Sequence, residues 1–207
     1  MSKHFRLALW LAVFTILYNA VEGIISVYFG IHDETLTLLG FGIDSFIEFI
    51  SGFGILSMVI RIHRNGEDNR SAFEKTALKI TGVSFYILAA GLIVSDIINL
   101  LNHSKPSTTL PGVIISGISI IVMLVLVSLK TKTGKALNSE AILADAACTK
   151  VCIYMSVALL ISSGLYELIG WGGFDTIGAL ALAVFSYREG KECFEKAKNN
   201  SHCGCHS

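Results

Sequence analysis

The sequence predicts an all-α membrane protein with six transmembrane helices and both termini in the cytoplasm, and three observations carry that prediction. Of 207 residues, 53% are hydrophobic and only 15% charged, with a mean hydropathy of +0.65, which is outside the range of soluble domains. Six stretches, 7–30, 35–60, 78–101, 110–129, 141–165 and 168–187, approach the roughly 20 apolar residues that a helix needs to cross the hydrocarbon core. The basic residues also fall into alternate connections. Lys3 and Arg6 precede the first stretch, and Arg61, Arg64, Arg70 and Lys75 lie between the second and third, with Lys79 at the very start of the third. Lys130, Lys132 and Lys135 lie between the fourth and fifth, and Arg188, Lys191, Lys196 and Lys198 follow the sixth. The opposite connections hold only Lys105, so the positive-inside rule sets both termini in the cytoplasm.

Each element has its own justification. The first run is too long for the apolar part of a signal peptide, carries Asn19 and Glu22, and has no small-residue cleavage site after it, so it counts as a helix. The second carries Asp44 and Glu48. Between the second and third runs, Arg64-Asn-Gly-Glu-Asp-Asn-Arg70 reads as a solvated cytoplasmic loop. The third run contains Asp96. Both prolines, Pro106 and Pro111, mark the external break before the fourth. The fifth contains Asp145, Cys148, Thr149, Lys150 and Cys152, and the sixth contains Asp175. From Arg188 to Asn199 the composition predicts a short amphipathic helix, followed by Ser-His-Cys-Gly-Cys-His-Ser. The chain thus divides into a six-helix transmembrane domain over 1–190 and a short cytoplasmic tail over 191–207.

Several classes are excluded. Transmembrane strands would alternate apolar with polar residues, and these runs are apolar almost throughout. A formal net charge of zero, with no basic patch beyond the cytoplasmic loops, gives no reason to expect a nucleic-acid partner. Of the five cysteines, Cys148 and Cys152 lie in a span and Cys193, Cys203 and Cys205 on the reducing side, so no disulfide framework is indicated.

Ionisable side chains at bilayer depth are costly and therefore mark function by default. Asp44 and Glu48 are four residues apart and share one helix face. Gly40 and Gly52 continue that face and would let another helix approach closely. On the fifth helix Asp145, Cys148, Thr149, Cys152 and Ser156 share a face at spacings of three and four. A helix offering two ligands can build one four-coordinate site with another that does the same, and Asp44, Glu48, Cys148 and Cys152 would supply two oxygens and two sulfurs. The plainer alternatives are weighed alongside. A lone membrane cysteine is usually a small hydrophobe, whereas two adjacent carboxylates repel unless one is protonated or cation-bound. Asn19, Glu22, Asp145 and Thr149 either line a pathway or pair between helices. Lys150, about 200° around the helix from the cysteines, points away from their site. In the tail, His202, Cys203, Cys205 and His206 are either a flexible metal-capturing segment or a polar end.

At these residues the chain resembles the cation diffusion facilitator family of metal transporters. Ser139-Glu-Ala-Ile-Leu-Ala-Asp-Ala-Ala-Cys-Thr-Lys-Val-Cys152 is similar to the family's fifth helix, with Ala-Asp followed by two ligands four residues apart. The segment Glu34 to Glu48 is similar to its second, and Asn19, Glu22-Gly23 and Trp171 to Asp175 match further features. The resemblance implies a transporter, usually a homodimer, that exchanges cytoplasmic divalent metal for protons through one tetrahedral site. Carried over by position, that site falls on Asp44, Glu48, Cys148 and Cys152. The family generally has His or Asp in place of Cys148, Asp in place of Cys152, and often Asp in place of Glu48; most members also have a cytoplasmic domain after the sixth helix, so this chain would be a short member. Thiolates favour softer cations, which selects Zn²⁺ or Cd²⁺, with Hg²⁺ and Cu(I) left open, over Mg²⁺, Ca²⁺ or Mn²⁺ as the transported ion, with no bound cofactor. Two other readings remain open: a membrane thiol oxidoreductase or redox sensor using Cys148 and Cys152, and a metal-binding membrane subunit without transport.

Overall fold

The computed structural model describes residues 3–32, 36–65, 69–101, 110–169 and 173–199. They form six helices and, among the described residues, no strand: α1 (Lys3–His32), α2 (Leu36–Asn65), α3 (Arg70–Leu101), α4 (Leu110–Leu137), α5 (Glu140–Ile169) and α6 (Gly173–Asn199). Helix contacts run around a ring in the order α1, α2, α3, α6, α5, α4 and back to α1, while α2 and α5 also touch across the middle. The two helices that carry the intramembrane acids and thiols therefore meet at the centre of the bundle.

Burial is inverted relative to a water-soluble protein. On α1, Thr15, Asn19, Glu22 and Ser26 are buried, while Trp10, Leu17 and Ile24 are more than 60% exposed. Lipid is the solvent such an exterior fits, because apolar side chains lose nothing by facing it and polar ones must find partners inside. Among the described residues, α1, α2, α3 and α4 are each long and apolar enough to cross a membrane. The protein is a multi-pass, all-α integral membrane protein.

The helices extend beyond their apolar runs at the basic end, and this corrects the sequence reading. Arg70, Lys75 and Lys79 lie on α3, and Lys130, Lys132 and Lys135 on α4, rather than in loops. Residues 188–199 continue α6 without a break, as their composition predicts. These extensions are stable because they pack on one another. Ala8, Met58, Ile62, Ala77, Ala141, Cys193 and Ala197 belong to one apolar cluster, with Phe5, Phe73 and Leu137 against it. Starts of α1, α3 and α5 thus meet ends of α2, α4 and α6, as up-and-down connectivity requires. Lys196 of α6 adds ion pairs with Glu140 of α5 at 2.8 Å and with Glu192 at 2.9 Å.

Between α4 and α5 the chain turns within two residues. The Ser139 N–H bonds the Gly134 carbonyl at 2.9 Å and the Asn138 N–H bonds that of Lys135 at 3.2 Å, which is the Schellman pattern for a helix end. Asn138 adopts φ 50°, a conformation asparagine tolerates better than most residues. Ser139 then caps α5, its hydroxyl oxygen accepting the Ile142 N–H at 3.4 Å.

Glycine allows two close crossings. A Cβ on Gly42 of α2 would lie 2.7 Å from Val27 Cγ2 and 2.9 Å from the Val27 backbone nitrogen on α1. Across α3 and α6, a Cβ on Gly82 would lie 2.9 Å from Phe194 Cε2. Because a backbone atom blocks the first site, Gly42→Val must separate α1 from α2 and is expected to cost about 1–3 kcal/mol. Gly91→Val, where nothing lies within 4 Å of the added carbon, is the matched control. Thermal unfolding of the two variants in detergent should show a clear loss for the first alone.

Candidate metal centre

The α2/α5 contact is a ladder of polar rungs. Helices running in opposite directions keep a constant sum of residue numbers at facing positions, and here that sum is close to 197. Ser51 Oγ donates to Asp145 Oδ1 at 2.7 Å, the Thr149 hydroxyl donates to Glu48 Oε1, and Asp44 lies against the Cys152 thiol. All six side chains are at most 2% exposed. Cys148 is fully buried one turn from Cys152, within interaction range of it. The spacing of three and four on both helices produces this register, since each rung is one helical turn from the next.

Lys130 closes the ladder from the side. Its Nζ lies 2.9 Å from Asp145 Oδ2, 3.5 Å from Glu48 Oε1, and donates to Thr149 Oγ1 at 2.9 Å. The residue is 1% exposed. Its ammonium is thus held by α5 and α2 while its stem belongs to α4. Ser51 Oγ also lies 3.0 Å from Thr81 Oγ1 of α3, so four helices share one hydrogen-bonded network. Single buried ions cost several kcal/mol, and this arrangement offsets that cost by pairing and by filling the remaining hydrogen-bond positions.

Two carboxylate oxygens stay outside the network. Asp44 Oδ1 and Glu48 Oε2 are buried and have no hydrogen-bond partner. Buried acceptors are ordinarily satisfied, so two of them one turn apart on the helix face that meets α5 are an exception that calls for a positive ligand. The set is not closed, however. Among the described residues no three His, Cys, Asp or Glu side chains converge closely enough to hold an ion together. The physical reason is visible: Glu48 is drawn to Thr149 and Lys130, and Asp145 is tied to Ser51 and Lys130.

A second polar cluster lies between α1, α2 and α4. Glu22 accepts hydrogen bonds from Tyr18 OH at 3.0 Å and Ser45 Oγ at 3.0 Å, with Ser119 of α4 also within reach. Asn19 donates to the Thr15 carbonyl at 3.0 Å and leaves Oδ1 buried without a partner. Gly23 faces Phe46 and Gly52 faces Thr15 and Ile16, so the α1/α2 register brings Asn19 level with Glu48. Lys150 is exposed, as its angular position predicts, and senses Glu189 of α6. Cys193, on the basic-end extension of α6, has its thiol pushed up to about 12 by burial and then by nearby Glu189, so it packs as a neutral side chain. His202, Cys203, Cys205, His206 and the side chain of Asp175 lie outside the described residues.

Lys130, Ser51 and Thr81 are the site residues that sequence reading misses, and Lys130 is the consequential one. It belongs to no loop but to the buried face of α4. A signal was present: Ser119, Met123, Leu126, Lys130 and Thr133 are all buried and recur at spacings of four, three, four and three. Extending the buried stripe of α4 past the end of the apolar run would have placed Lys130 inside.

A family model for the cation efflux transmembrane domain matches residues 8–197, nearly the whole chain. The chain belongs to the cation diffusion facilitator family. No curated protein matches it. A cation efflux domain makes this protein a metal cation transporter, and the intramembrane acids and thiols lie within the matched region.

Because Lys130 compensates two buried carboxylates of this cation efflux domain, Lys130→Met should destabilise it by about 3–5 kcal/mol. Adding Asp145→Asn removes the stranded charge and should recover most of the loss. Melting temperatures of the single and double variants in detergent check both statements.

Proposed function

We propose that this cation efflux protein carries a soft divalent cation, Zn²⁺ or Cd²⁺, out of the cytoplasm in exchange for protons, through one site between α2 and α5. Its ligands are Asp44, Glu48, Cys148 and Cys152. The observation that carries this reading is the pair of buried, unpartnered oxygens, Asp44 Oδ1 and Glu48 Oε2, beside two fully buried thiols on the facing helix. Two acceptor-only oxygens need a cation, and sulfur beside them favours a soft one. Closing around an ion requires Glu48 to turn Oε1 away from Thr149 and Lys130.

Proton exchange follows from the ligand chemistry. A thiol binds metal as thiolate, having lost a proton whose reference pKa is about 8.5. Metal entry therefore releases protons and proton entry releases metal, which is the coupling an antiporter needs. Helices rocking about a fixed central site would expose it to each side in turn.

In proteoliposomes, Asp44→Ala, Glu48→Ala, Cys148→Ala and Cys152→Ala should each abolish Cd²⁺ and Zn²⁺ flux while still inserting into the membrane. Full flux in any two of them removes the shared site. An opposing pH gradient should accelerate flux, and Cd²⁺ added to solubilised protein should release protons; indifference to the gradient would indicate uniport.

Selectivity tests the sulfurs directly. The double variant Cys148→His/Cys152→Asp hardens the site and should retain Zn²⁺ flux while lowering the ratio of Cd²⁺ to Zn²⁺ initial rates. An unchanged ratio in a transporting variant would show that neither sulfur touches the ion.

A further inference from the structure

Lys130 cannot bind a metal, yet its ammonium lies 3.5 Å from Glu48 and 2.9 Å from Asp145. The two contacts differ in kind. Asp145 is engaged on both oxygens, Oδ1 by Ser51 and Oδ2 by Lys130, so it is fixed. Glu48 is engaged on Oε1 alone, and its Oε2 has no partner, so it is only half committed. An ammonium shared in this way can give up Glu48 and keep Asp145.

We infer that Lys130 is a positioning residue that lowers metal affinity by competing with the transported cation for Glu48, and that Asp145 takes over its charge when the metal takes Glu48. The inference rests on the α2/α5 site proposed above and adds to it a reason for weak binding. Pairing supports it. Lys130 and Asp145 neutralise one another, which leaves Glu48 free to give its full charge to the ion. Without Asp145 the ammonium would remain on Glu48 and cancel that charge. A carrier must release what it binds, and a built-in cation that reclaims Glu48 favours release.

The test exploits opposite signs. Cd²⁺ affinity is measured by equilibrium dialysis on the purified full chain in detergent. Asp145→Asn deprives Lys130 of its fixed partner, commits the ammonium to Glu48, and should weaken Cd²⁺ binding about tenfold, an ordinary size for coupling between two ligands. Lys130→Met/Asp145→Asn removes the competitor at unchanged net charge, and should tighten binding beyond wild type by about the same factor. In vesicles the double variant should show a lower KM and a lower kcat, as slower release demands. Lys130→Arg, whose planar fork can hold both carboxylates at once, supplies the weakening arm a second time if Asp145→Asn does not fold.

A residue that only holds helices together would shift all three variants in one direction or none. Shifts of one sign, or unchanged affinities in variants that keep the wild-type melting profile, overturn the inference. Asp44→Ala and Cys152→Ala in the same assay separate the two levels. If they abolish saturable binding while the Lys130 variants leave affinity unchanged, only the competition fails; if they bind as wild type does, the α2/α5 site fails and the competition with it.

Discussion

A charged amine buried in the middle of a membrane protein has to be held from several sides, and the arrangement of this bundle follows from how Lys130 is held. Its stem comes from α4, and its partners Asp145 and Thr149 come from α5 and Glu48 from α2. Ser51 then passes the connection to Thr81 on α3. Hydrogen bonds between membrane helices are individually modest, but an unpaired ion in their place would cost several kcal/mol. The network therefore fixes which helices are neighbours and at what register, more strictly than apolar packing would. Met58, Ala77 and Leu78 can slide over one another at small cost, whereas Asp145 cannot leave Lys130.

The transport chemistry proposed above is superimposed on that frame. Asp44 and Cys152 form the rung farthest from Lys130, and Glu48 stands between the fixed ion pair and this softer end. One carboxylate thus belongs to two systems at once, a structural network and a prospective coordination shell. Transporters need such sharing, because a ligand satisfied only by metal would never release it. The second cluster, around Glu22, touches the first through neighbouring positions: Ser45 adjoins Asp44, and Asn19 is level with Glu48.

Much of this was legible in the sequence. Hydropathy located six helices, and the i, i+4 pairs on the second and fifth placed Asp44, Glu48, Cys148 and Cys152 on faces that do meet. What hydropathy could not give was the extent of α3 and α4 at the basic end, since lysines there read as loop residues. Lys130 shows why. A window average records that the chain has turned polar, but burial depends on which neighbour the side chain finds, and Asp145 and Glu48 lie 15 and 82 positions away along the chain. The close approaches at Gly42 and Gly82 were equally hidden, because a glycine's use depends on the backbone or ring opposite. Asp145 could be read either as pathway or as packing, and its bond to Ser51 and pairing with Lys130 show that it joins helices.

The tight turn at Asn138 has a mechanical meaning of its own. Lys130 and Asp145 sit about two turns of helix either side of it, so the hairpin is clamped twice, once by the Schellman bonds and once by the ion pair. Two clamps on a short span leave no slack for α5 to swing while α4 stands still. Whatever moves α5 must therefore move α4 with it. A stroke that uncovers the thiols to one face of the membrane would carry the ammonium with them, so the rival charge travels with half of the proposed ligands rather than waiting at either gate.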